Sequence, residues 1–396
     1  MTPLDITATG VIVGGALFFF YTYFGYPASV WVLGRFKPPR ESETRWEGQW
    51  PTVSIAVPVY NEEHQIESLI RSLLSLDYPK DRLQILIVSD GSTDGTDEIV
   101  SSFAGEGVEL LRMPERGGKT KAENAASKKL RGEIVVNTDA SIRIAPDGLK
   151  PLIARFEDPH VGLASGRDVS VGPSEESVNV GESGYVGYEM AIRELETRVS
   201  GIVGASGCFY AIRPDLHSIP LPDHLSRDFA AALHTREHGS RAVSVPEAVC
   251  FVPRTSSLRR EFRRKVRTIS RGMDTLTYKR ALLNPFRYGL FAWMLFSHKV
   301  CRWLLPWAAL GALGGVGILS FSHIWARAVF AAALLFLLLA WIGWYLDGRR
   351  EVPKVFSIPA FLVVSNLAAA LALIRFLNGD QNPTWEPTRR EPGIAG

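Results

Sequence analysis

At 396 residues with 46% hydrophobic residues, the chain is longer than an ordinary single domain and more apolar than most soluble enzymes. Its formal net charge of +3 is too small to indicate a nucleic-acid-binding protein. The three cysteines, Cys208, Cys250 and Cys301, are an odd number without C-x-x-C or metal-ligand spacing, which favours reduced thiols in the cytosol. We therefore expect part of the chain to lie in lipid.

The first apolar segment, residues 6–34, predicts a transmembrane anchor. It is long enough to cross ~30 Å of hydrocarbon, and it lacks the preceding Lys or Arg that a secretory signal requires. Basic residues follow it at Arg35, Lys37 and Arg40. By the positive-inside rule, the N-terminus should lie outside and the next region in the cytoplasm, as in a bacterial-type inner membrane.

Residues 50–256 are predicted to form a cytoplasmic α/β domain. Apolar, β-branched runs predict strands, and segments with helical periodicity lie between them. The predicted strands begin at Val53 and continue with 83–88, 108–111 and 133–136, and the predicted helices cover 62–76 and 120–130. Strands that alternate with helices indicate a parallel, doubly wound sheet.

Carboxylates follow three of the predicted strands, at Glu62, Asp90 and Asp139. Open α/β sheets bind ligands in the crevice beyond the carboxyl ends of their strands. Asp90 is expected to accept hydrogen bonds from a base or a ribose, although a strand-to-helix turn would also explain its D-G-S-T-D-G-T context. Asp139 and Ser141 offer oxygen ligands for Mg²⁺ or Mn²⁺ shared with substrate phosphates.

The segment from Arg116 to Asn124 is a glycine turn that opens a helix. Backbone N–H groups at such a helix start favour phosphate, and Lys119 would add positive charge to a diphosphate. The glycine spacing is not that of a P-loop. A solvated basic turn is the alternative interpretation.

Residues 257–297 are predicted to form basic, interfacial helices. One face of a helix over 257–273 carries Leu258, Phe262, Ile269 and Met273, and arginines and lysines cover the remainder. A basic amphipathic helix of this kind binds an anionic membrane surface, although some of its arginines would instead face a diphosphate. Residues 286–296 are too short to cross a membrane and are expected to lie in the interface.

Residues 300–377 contain three further apolar segments, 300–321, 324–346 and 355–377. Basic residues near their ends are His298, Lys299, Arg349, Arg350 and Lys354. We expect these segments to be transmembrane or membrane-embedded.

Three full crossings after a cytoplasmic domain would place the polar tail, residues 378–396, outside. The tail carries Arg389 and Arg390, so this arrangement opposes the positive-inside rule. The last apolar segment is interrupted by Pro359 and Asn366 and is therefore expected to be re-entrant or interfacial.

Several motifs together resemble those of family 2 glycosyltransferases, in particular the membrane-integrated branch that includes cellulose, hyaluronan, chitin and poly-N-acetylglucosamine synthases. The matching motifs are P-V-Y-N-E-E from Pro58, the Asp90 turn, Gly118-Lys119 with Asn124, T-D-A-S from Thr138, G-A-S-G-C-F-Y-A-I-R from Gly204, S-R-D-F from Ser226, and the basic helix near Arg267. The resemblance implies a GT-A fold, an inverting mechanism and a nucleotide-sugar donor.

The resemblance also implies roles for individual residues. The uridine end of the donor would be held by Pro58, Tyr60, Glu62 and Asp90, and the base and phosphates would lie near Lys119, with Arg267 and Arg271 also on the nucleotide sugar. Asp139 stands where the family's DxD motif binds the metal-diphosphate, and Ser141 replaces the second Asp. Ser206 and Gly207 belong to a turn that either lets an acceptor sugar approach or simply packs closely.

Asp228 occupies the place of the family's general base. Inverting transfer needs one carboxylate to accept the proton of the acceptor hydroxyl. Arg227 stands where a Glu often precedes this base, and a neighbouring Arg either lowers the pKa of Asp228 or binds phosphate. The alternative interpretation of Asp228 is a helix N-cap before Ala230.

The processive synthases carry Gln-x-x-Arg-Trp in the basic helix, whereas this chain has R-K-V-R-T from Arg264 to Thr268. The missing Trp favours one or few additions over polymerisation. We therefore predict a metal-dependent, inverting glycosyltransferase that moves a sugar from a UDP-sugar to a lipid-linked saccharide or glycolipid in surface polysaccharide synthesis. Its predicted partners are the nucleotide sugar, the glycan acceptor and membrane lipid, with no nucleic acid.

Two alternatives stay open at this point. The first is a processive polysaccharide synthase that secretes its own product. The second is a catalytically degenerate membrane protein that binds nucleotide or lipid for regulation.

Overall fold

The computed structural model describes residues 2–37, 46, 48–171, 180–253, 257–348 and 352–380. The predictions made on Arg40, Arg349, Arg350, Arg389, Arg390 and most of the polar tail lie outside these residues.

The N-terminal apolar segment is helical throughout. It consists of α1 (Pro3–Phe20), a π-helical turn (Tyr21–Gly25) and α2 (Tyr26–Arg35). A capping box starts α1, because the Thr2 hydroxyl accepts the Asp5 N–H and the Asp5 carboxylate accepts the Thr2 N–H. By length and hydropathy, the helical stretch Pro3–Arg35 is able to cross a membrane.

An eight-stranded mixed sheet forms the centre of the following domain. Its strands are β1 (Val53–Val59), β2 (Leu83–Ser89), β3 (Val108–Arg112), β4 (Ile134–Thr138), β5 (Arg143–Ile144), β6 (Val161–Val171), β7 (Phe209–Ile212) and β8 (Arg241–Pro253). Their order is β3-β2-β1-β4-β7-β6-β8-β5. The first four are parallel, whereas β7 runs antiparallel to both β4 and β6. The predicted parallel-rich sheet is confirmed, and its antiparallel pairs are those of β7 with β4 and β6 and of β5 with β8.

Helices cover both faces of this sheet. They are α3 (Ile66–Leu74), α4 (Thr96–Ser102), α5 (Lys119–Ala126), α6 (Leu149–Ala154), α7 (Val180–Val199), α8 (Pro214–His217) and α9 (Arg227–Glu237). Successive residues of β1 alternate between two cores: Ile55 and Val57 pack with α3, α4 and α6, whereas Ala56 packs with α5. Burial on both faces explains why β1 reads as a continuous apolar run.

Helix α3 begins later than the predicted residue 62. The backbone before it is bound by the loop after β2, because the N–H groups of Asn61 and Glu62 donate to the hydroxyls of Ser92 and Thr96 at 3.1 and 2.8 Å. These bonds hold the end of β1 against the end of β2.

The C-terminal part is entirely helical in the described residues. Its helices are α10 (Leu258–Tyr278), α11 (Pro285–Tyr288), α12 (Leu290–Leu295), α13 (Cys301–Ser320), α14 (Ile324–Leu346) and α15 (Lys354–Leu377). A π-helical turn, Phe296–Val300, joins α12 to α13 in one stretch, Leu290–Ser320, that is able to span a membrane. His298 and Lys299 therefore lie inside one continuous helical stretch, which joins the predicted segments 286–296 and 300–321. The interfacial position of 286–296 stays a prediction.

Helix α15 continues through Pro359 without a reversal of the chain. A continuous helix does not form a re-entrant loop, and α15 is long and apolar enough to span a membrane, whereas the interfacial alternative stays a prediction. Helix α10 packs along it, with Lys265 Nζ donating to Ser365 Oγ at 2.8 Å and Leu258 packed against Phe361. One face of the basic helix is thus covered by α15.

Gly343 allows α14 and α15 to approach closely. A Cβ atom at this position would lie 2.8 Å from Ala360 Cβ and would also meet the Phe356 carbonyl oxygen, whereas a Cβ at Gly314 would meet nothing within 4 Å. Overpacking costs ~1–3 kcal/mol. We expect Gly343→Ala to lower the thermal unfolding midpoint in detergent and Gly314→Ala to leave it unchanged or raised. Equal midpoints for the two variants would contradict this packing.

Candidate active site

A cavity of about 510 Å³ lies between the carboxyl edge of the sheet and helices α7, α9, α10, α13 and α15. Nine of the predicted site residues line it: Glu62, Lys119, Asp139, Ser141, Ser206, Gly207, Asp228, Arg267 and Arg271. The other three, Pro58, Tyr60 and Asp90, do not belong to its lining. The cavity thus collects side chains from distant parts of the sequence.

Lys119, Asp139 and Gly207 meet at the centre of this cavity. Lys119 Nζ lies 2.5 Å from Asp139 Oδ1 and donates to the Gly207 carbonyl oxygen at 3.1 Å. The sheet brings them together, because β7 pairs antiparallel with β4 and Phe209 lies opposite Thr138. The turn before β7 is therefore beside the end of β4, where Asp139 follows.

The Lys119 ammonium is surrounded by carboxylates. Burial acts to lower its pKa, but the charges of Asp139, Glu123 and Asp228 outweigh burial and raise the pKa above its usual range. Lys119 is therefore a permanent positive charge inside the cavity.

Asp228 lies in the first turn of α9 and faces the turn before β7. Ser226 occupies the N-cap position, so the N-cap interpretation of Asp228 is wrong. The Ser226 hydroxyl donates to Asp228 Oδ1 at 2.6 Å. The other oxygen, Oδ2, would lie 2.9 Å from a Cβ atom at Gly207. A side chain at position 207 would therefore fill the space in front of the carboxylate.

The Arg227 guanidinium is directed into the protein and away from Asp228. It donates to Asn124 Oδ1 and to the His217 carbonyl oxygen, both at 2.5 Å, and lies 3.7 Å from Glu123. Arg227 thereby connects α9 to α5, the helix that begins with Lys119.

Asp90 fixes the turn that carries Lys119. Its two carboxylate oxygens accept the N–H groups of Gly117 and Gly118 at 2.7 and 2.8 Å. Gly91 makes the close approach possible, since its φ of +70° favours glycine and a Cβ would lie 3.0 Å from the Arg116 nitrogen. In this structure Asp90 thus binds backbone, whereas the sequence predicted a nucleotide contact.

Tyr60 and Pro58 lie next to the same turn. The Arg116 guanidinium carbon stacks 3.9 Å above the centre of the Tyr60 ring. The pairing of β1 with β4 ends at Ala56. Pro58 lies beyond this point, so its missing N–H does not interrupt the hydrogen bonds between the two strands.

Ser206 is bound to a buried acid that the sequence did not single out. Its hydroxyl donates to Asp168 at 2.7 Å, and its N–H donates to Ser165 at 2.8 Å. Burial raises the pKa of Asp168. These bonds fix the turn before β7.

Arg271 of α10 is held by backbone oxygens. Its guanidinium donates to the carbonyls of His224 and Asp223 at 3.1 Å each and to the Thr120 hydroxyl at 2.9 Å. It therefore ties α10 to the loop before Asp228 and to the start of α5.

The family model for glycosyl transferase family 2 matches residues 54–216. Residues 54–216 are a glycosyl transferase family 2 domain. A beta-monoglucosyldiacylglycerol synthase of Trichormus variabilis is 30% identical over 171 residues, 42% of this chain and 36% of that protein. An N-acetylglucosaminyltransferase of Mesorhizobium japonicum is 31% identical over 142 residues, 35% of this chain and 33% of that protein. The chain thus spans about a third of the length of these relatives.

One solved structure is similar over nearly the whole glycosyltransferase. It is a mannosyltransferase from Pyrobaculum calidifontis in complex with GDP-Man and Mn²⁺, with a TM-score of 0.72 at 22% identity. The similarity covers 96% of this chain and 100% of that chain. It confirms the predicted GT-A fold.

The sequence analysis missed the part of the cavity formed by α7 and α13. The additional lining residues there include Glu189, Arg193, His298, Lys299, Arg302 and Trp303. Ionisable residues within an apolar helix are a functional signal, but His298 and Lys299 were interpreted as a basic flank. Only the tertiary structure pairs His298 with Glu189 and Glu196, at 2.7 and 2.5 Å.

In the described residues, no group of three or more His, Cys, Asp and Glu side chains is placed to hold a metal ion. Mg²⁺ is usually bound by one or two carboxylates together with substrate phosphates. Asp139 and Ser141 of this glycosyltransferase line the cavity and offer hard oxygen atoms of that kind. They fit a metal that is shared with a diphosphate.

The dual contact of Asp90 leads to a prediction. Asp90→Asn replaces one acceptor oxygen by an N–H donor, so one glycine N–H loses its bond, at a cost of ~1–3 kcal/mol. We expect a lower thermal unfolding midpoint and weaker UDP binding, because the Lys119 turn is released. The control is Asp81→Asn, at an exposed position. Weaker UDP binding with an unchanged midpoint would instead indicate that Asp90 contacts the nucleotide.

Proposed function

We propose that the protein transfers a sugar from a nucleotide sugar, UDP-linked, to a hydroxyl of a lipid-linked saccharide or glycolipid with inversion at the anomeric carbon. The observation that carries this proposal is the convergence of Lys119, Asp139 and Asp228 around Gly207 in one cavity. A single displacement requires positive charge to stabilise the leaving diphosphate and a carboxylate that accepts the proton of the acceptor hydroxyl. A cation, a carboxylate able to bind a metal and a second carboxylate meet these needs.

Asp228 is the proposed general base. Its Oδ1 is occupied by the Ser226 hydroxyl, which leaves Oδ2 directed to the space in front of Gly207. An acceptor hydroxyl in that space would lose its proton to Oδ2 while it attacks the anomeric carbon. The small residue at 207 lets the acceptor come close.

Asp139 and Ser141 are the proposed ligands of Mg²⁺ or Mn²⁺, together with the diphosphate of the donor. When bound, the metal would supply positive charge to the departing diphosphate. Lys119 contributes a second, permanent positive charge at the same place, since it contacts Asp139 directly. Tyr60, Glu62 and the Asp90 turn then remain the proposed uridine side of the site.

The acceptor side of the proposal is supported by the position of the cavity. Its lining includes residues from three helices that are able to span a membrane: Tyr23, Lys299, Arg302, Ser365, Asn366 and Ala369. An acceptor attached to a lipid would reach the site from there. The cytoplasmic location of the domain, inferred from Arg35 and Lys37, belongs to the same proposal.

A non-processive reaction is favoured over polymer synthesis. In α10, Arg264 stands where the processive Gln-x-x-Arg-Trp motif has Gln, and it pairs with Glu261 at 2.7 Å. The next residue, Lys265, donates to Ser365 at 2.8 Å. Thr268 lines the cavity where that motif has Trp.

The direct test uses purified full-length protein, a membrane lipid extract and labelled donors: UDP-glucose, UDP-galactose, UDP-N-acetylglucosamine, UDP-glucuronate and GDP-mannose. We expect one UDP-sugar to label a lipid-extractable product that carries one or few added sugars. Long chains would support the processive alternative, and a preference for GDP-mannose would overturn the UDP assignment.

The base assignment predicts the effect of Asp228→Asn. Loss of a positioned base typically costs ~10²–10⁴ in rate. We expect transfer to fall by at least about a hundredfold, while UDP affinity and the thermal midpoint stay close to those of the native protein. The control is Asp215→Asn, at an exposed position of α8. Unchanged transfer in Asp228→Asn would remove the base assignment and reopen the regulatory alternative.

The metal assignment predicts dependence on a divalent ion. Treatment with EDTA followed by its removal should abolish transfer, and Mg²⁺ or Mn²⁺ should restore it. Asp139→Asn should not be restored by either ion, because a carboxylate ligand is lost. Full activity in EDTA would show that Lys119 alone neutralises the diphosphate.

A further inference from the structure

Three cations lie at the helical end of the cavity, and we call them the cation cluster: Arg193, Lys299 and Arg302. Arg193 belongs to α7, whereas Lys299 and Arg302 belong to the helical stretch Leu290–Ser320. All three line the cavity. Lys299 Nζ and Arg302 Nη1 both lie beside Glu189, at 3.9 and 2.5 Å, and Arg193 follows Glu189 by about one turn of α7.

Much of the hydrogen-bonding capacity of the cation cluster is unused. Arg193 is only 8% exposed, and its Nε and Nη1 have no hydrogen-bond partner among the described residues. Arg302 uses Nη1 on Glu189 at 2.5 Å, but its buried Nε and Nη2 have no partner in the same part of the chain. Buried guanidinium N–H groups are normally hydrogen-bonded, so these donors are available to an anion.

The acids around the cation cluster are already engaged. Glu189 binds both His298 and Arg302, and Glu196 binds His298 and the Tyr26 hydroxyl. Asp168 accepts the Ser206 hydroxyl. Glu189 therefore already serves three basic side chains, His298, Lys299 and Arg302.

The cation cluster lies at one end of the turn before β7, and Asp228 lies at the other. Lys299 Nζ would be 3.4 Å from a Cβ atom at Gly204, whereas Asp228 Oδ2 would be 2.9 Å from a Cβ at Gly207. Three residues of chain span at most ~11 Å. The distance from an anion at Lys299 to the proposed base, Asp228, is therefore no longer than a short saccharide.

Lys119 and Asp139, where the donor diphosphate is proposed to lie, are beside Gly207. The cation cluster instead lies near two stretches that are able to span a membrane: Lys299 and Arg302 belong to Leu290–Ser320, and Arg302 stacks on Tyr188, whose hydroxyl donates to the Tyr23 carbonyl of Pro3–Arg35. A phosphate with an apolar tail fits this position better than the donor does.

We propose that the cation cluster binds the phosphate of an anionic lipid acceptor, so that the acceptor is a phosphate-linked lipid saccharide and not a neutral glycolipid. This inference rests on the proposed function, because it names the acceptor class of the same site. A free phosphate ion has the same chemistry, and the test separates the two.

The test measures binding and requires no turnover. Full-length protein in dodecyl maltoside, saturated with UDP and Mn²⁺, is titrated with radiolabelled monododecyl phosphate, and dodecanol and inorganic phosphate serve as competitors. We expect binding in the presence of UDP, with inorganic phosphate a weak competitor and dodecanol weaker still. Lys299→Gln and Arg193→Gln should each weaken binding by about tenfold, the size expected for one lost charged hydrogen bond, without changing UDP affinity.

Two further variants protect the result against misfolding. Arg193→Lys keeps the charge and should bind more tightly than Arg193→Gln, and Arg375→Gln removes an exposed charge at the end of α15 and should change nothing. If UDP displaces the label, or if the variants weaken UDP binding equally, the cation cluster belongs to the donor diphosphate and the proposal is overturned.

Two other outcomes also overturn the proposal. Inorganic phosphate that competes as well as the alkyl phosphate would indicate an ion site, and dodecanol that competes equally would indicate a purely apolar site. Failure of the proposed function is distinguishable, because it would appear as unchanged transfer in Asp228→Asn while the binding measured here is unaffected.

Discussion

The contact between Lys119, Asp139 and the Gly207 carbonyl is the constraint on which the cavity depends. It joins the start of α5, the end of β4 and the turn before β7 at one point. The antiparallel return of β7 makes this possible, because a parallel strand would have placed the G-A-S-G turn at the opposite edge of the sheet. The chemistry is thus concentrated where the sheet changes direction.

A second set of contacts connects the helices that are able to span a membrane to the domain that contains the sheet. Tyr26 and His298 both contact Glu196 Oε1 at 2.5 Å, and the Glu196 Oε2 atom accepts the Val203 N–H at 3.3 Å. These bonds connect α2, α7 and the stretch Leu290–Ser320 to the residue just ahead of the turn before β7. Since breaking one partner of a buried charged network is costly, the helices and the turn are expected to move together.

The strand-end acids were accessible from the sequence because parallel strands alternate with helices over a short distance. Asp139 and Lys119 were therefore predicted as site residues from the local sequence pattern, and both line the cavity. Asp228 was predicted from its family motif. The cation cluster was not found, because Arg193 lies in a long helix without a motif and Lys299 resembles an ordinary basic flank. Their proximity depends on the packing of α7 against the C-terminal helices, which no local pattern records.

The contacts of Asp90 show a second reason why a site cannot be predicted fully from the sequence. A carboxylate at a strand end predicts a ligand contact, but the adjacent Gly117 and Gly118 offer two N–H groups that satisfy both oxygens. Backbone donors compete with ligand donors for the same acceptor, and sequence spacing does not decide between them. The same carboxylate still acts on the proposed donor site through the turn it holds, since Lys119 directly follows Gly118. Positioning of the charge on Lys119 is therefore the physical link between the Asp90 turn and the proposed transfer step.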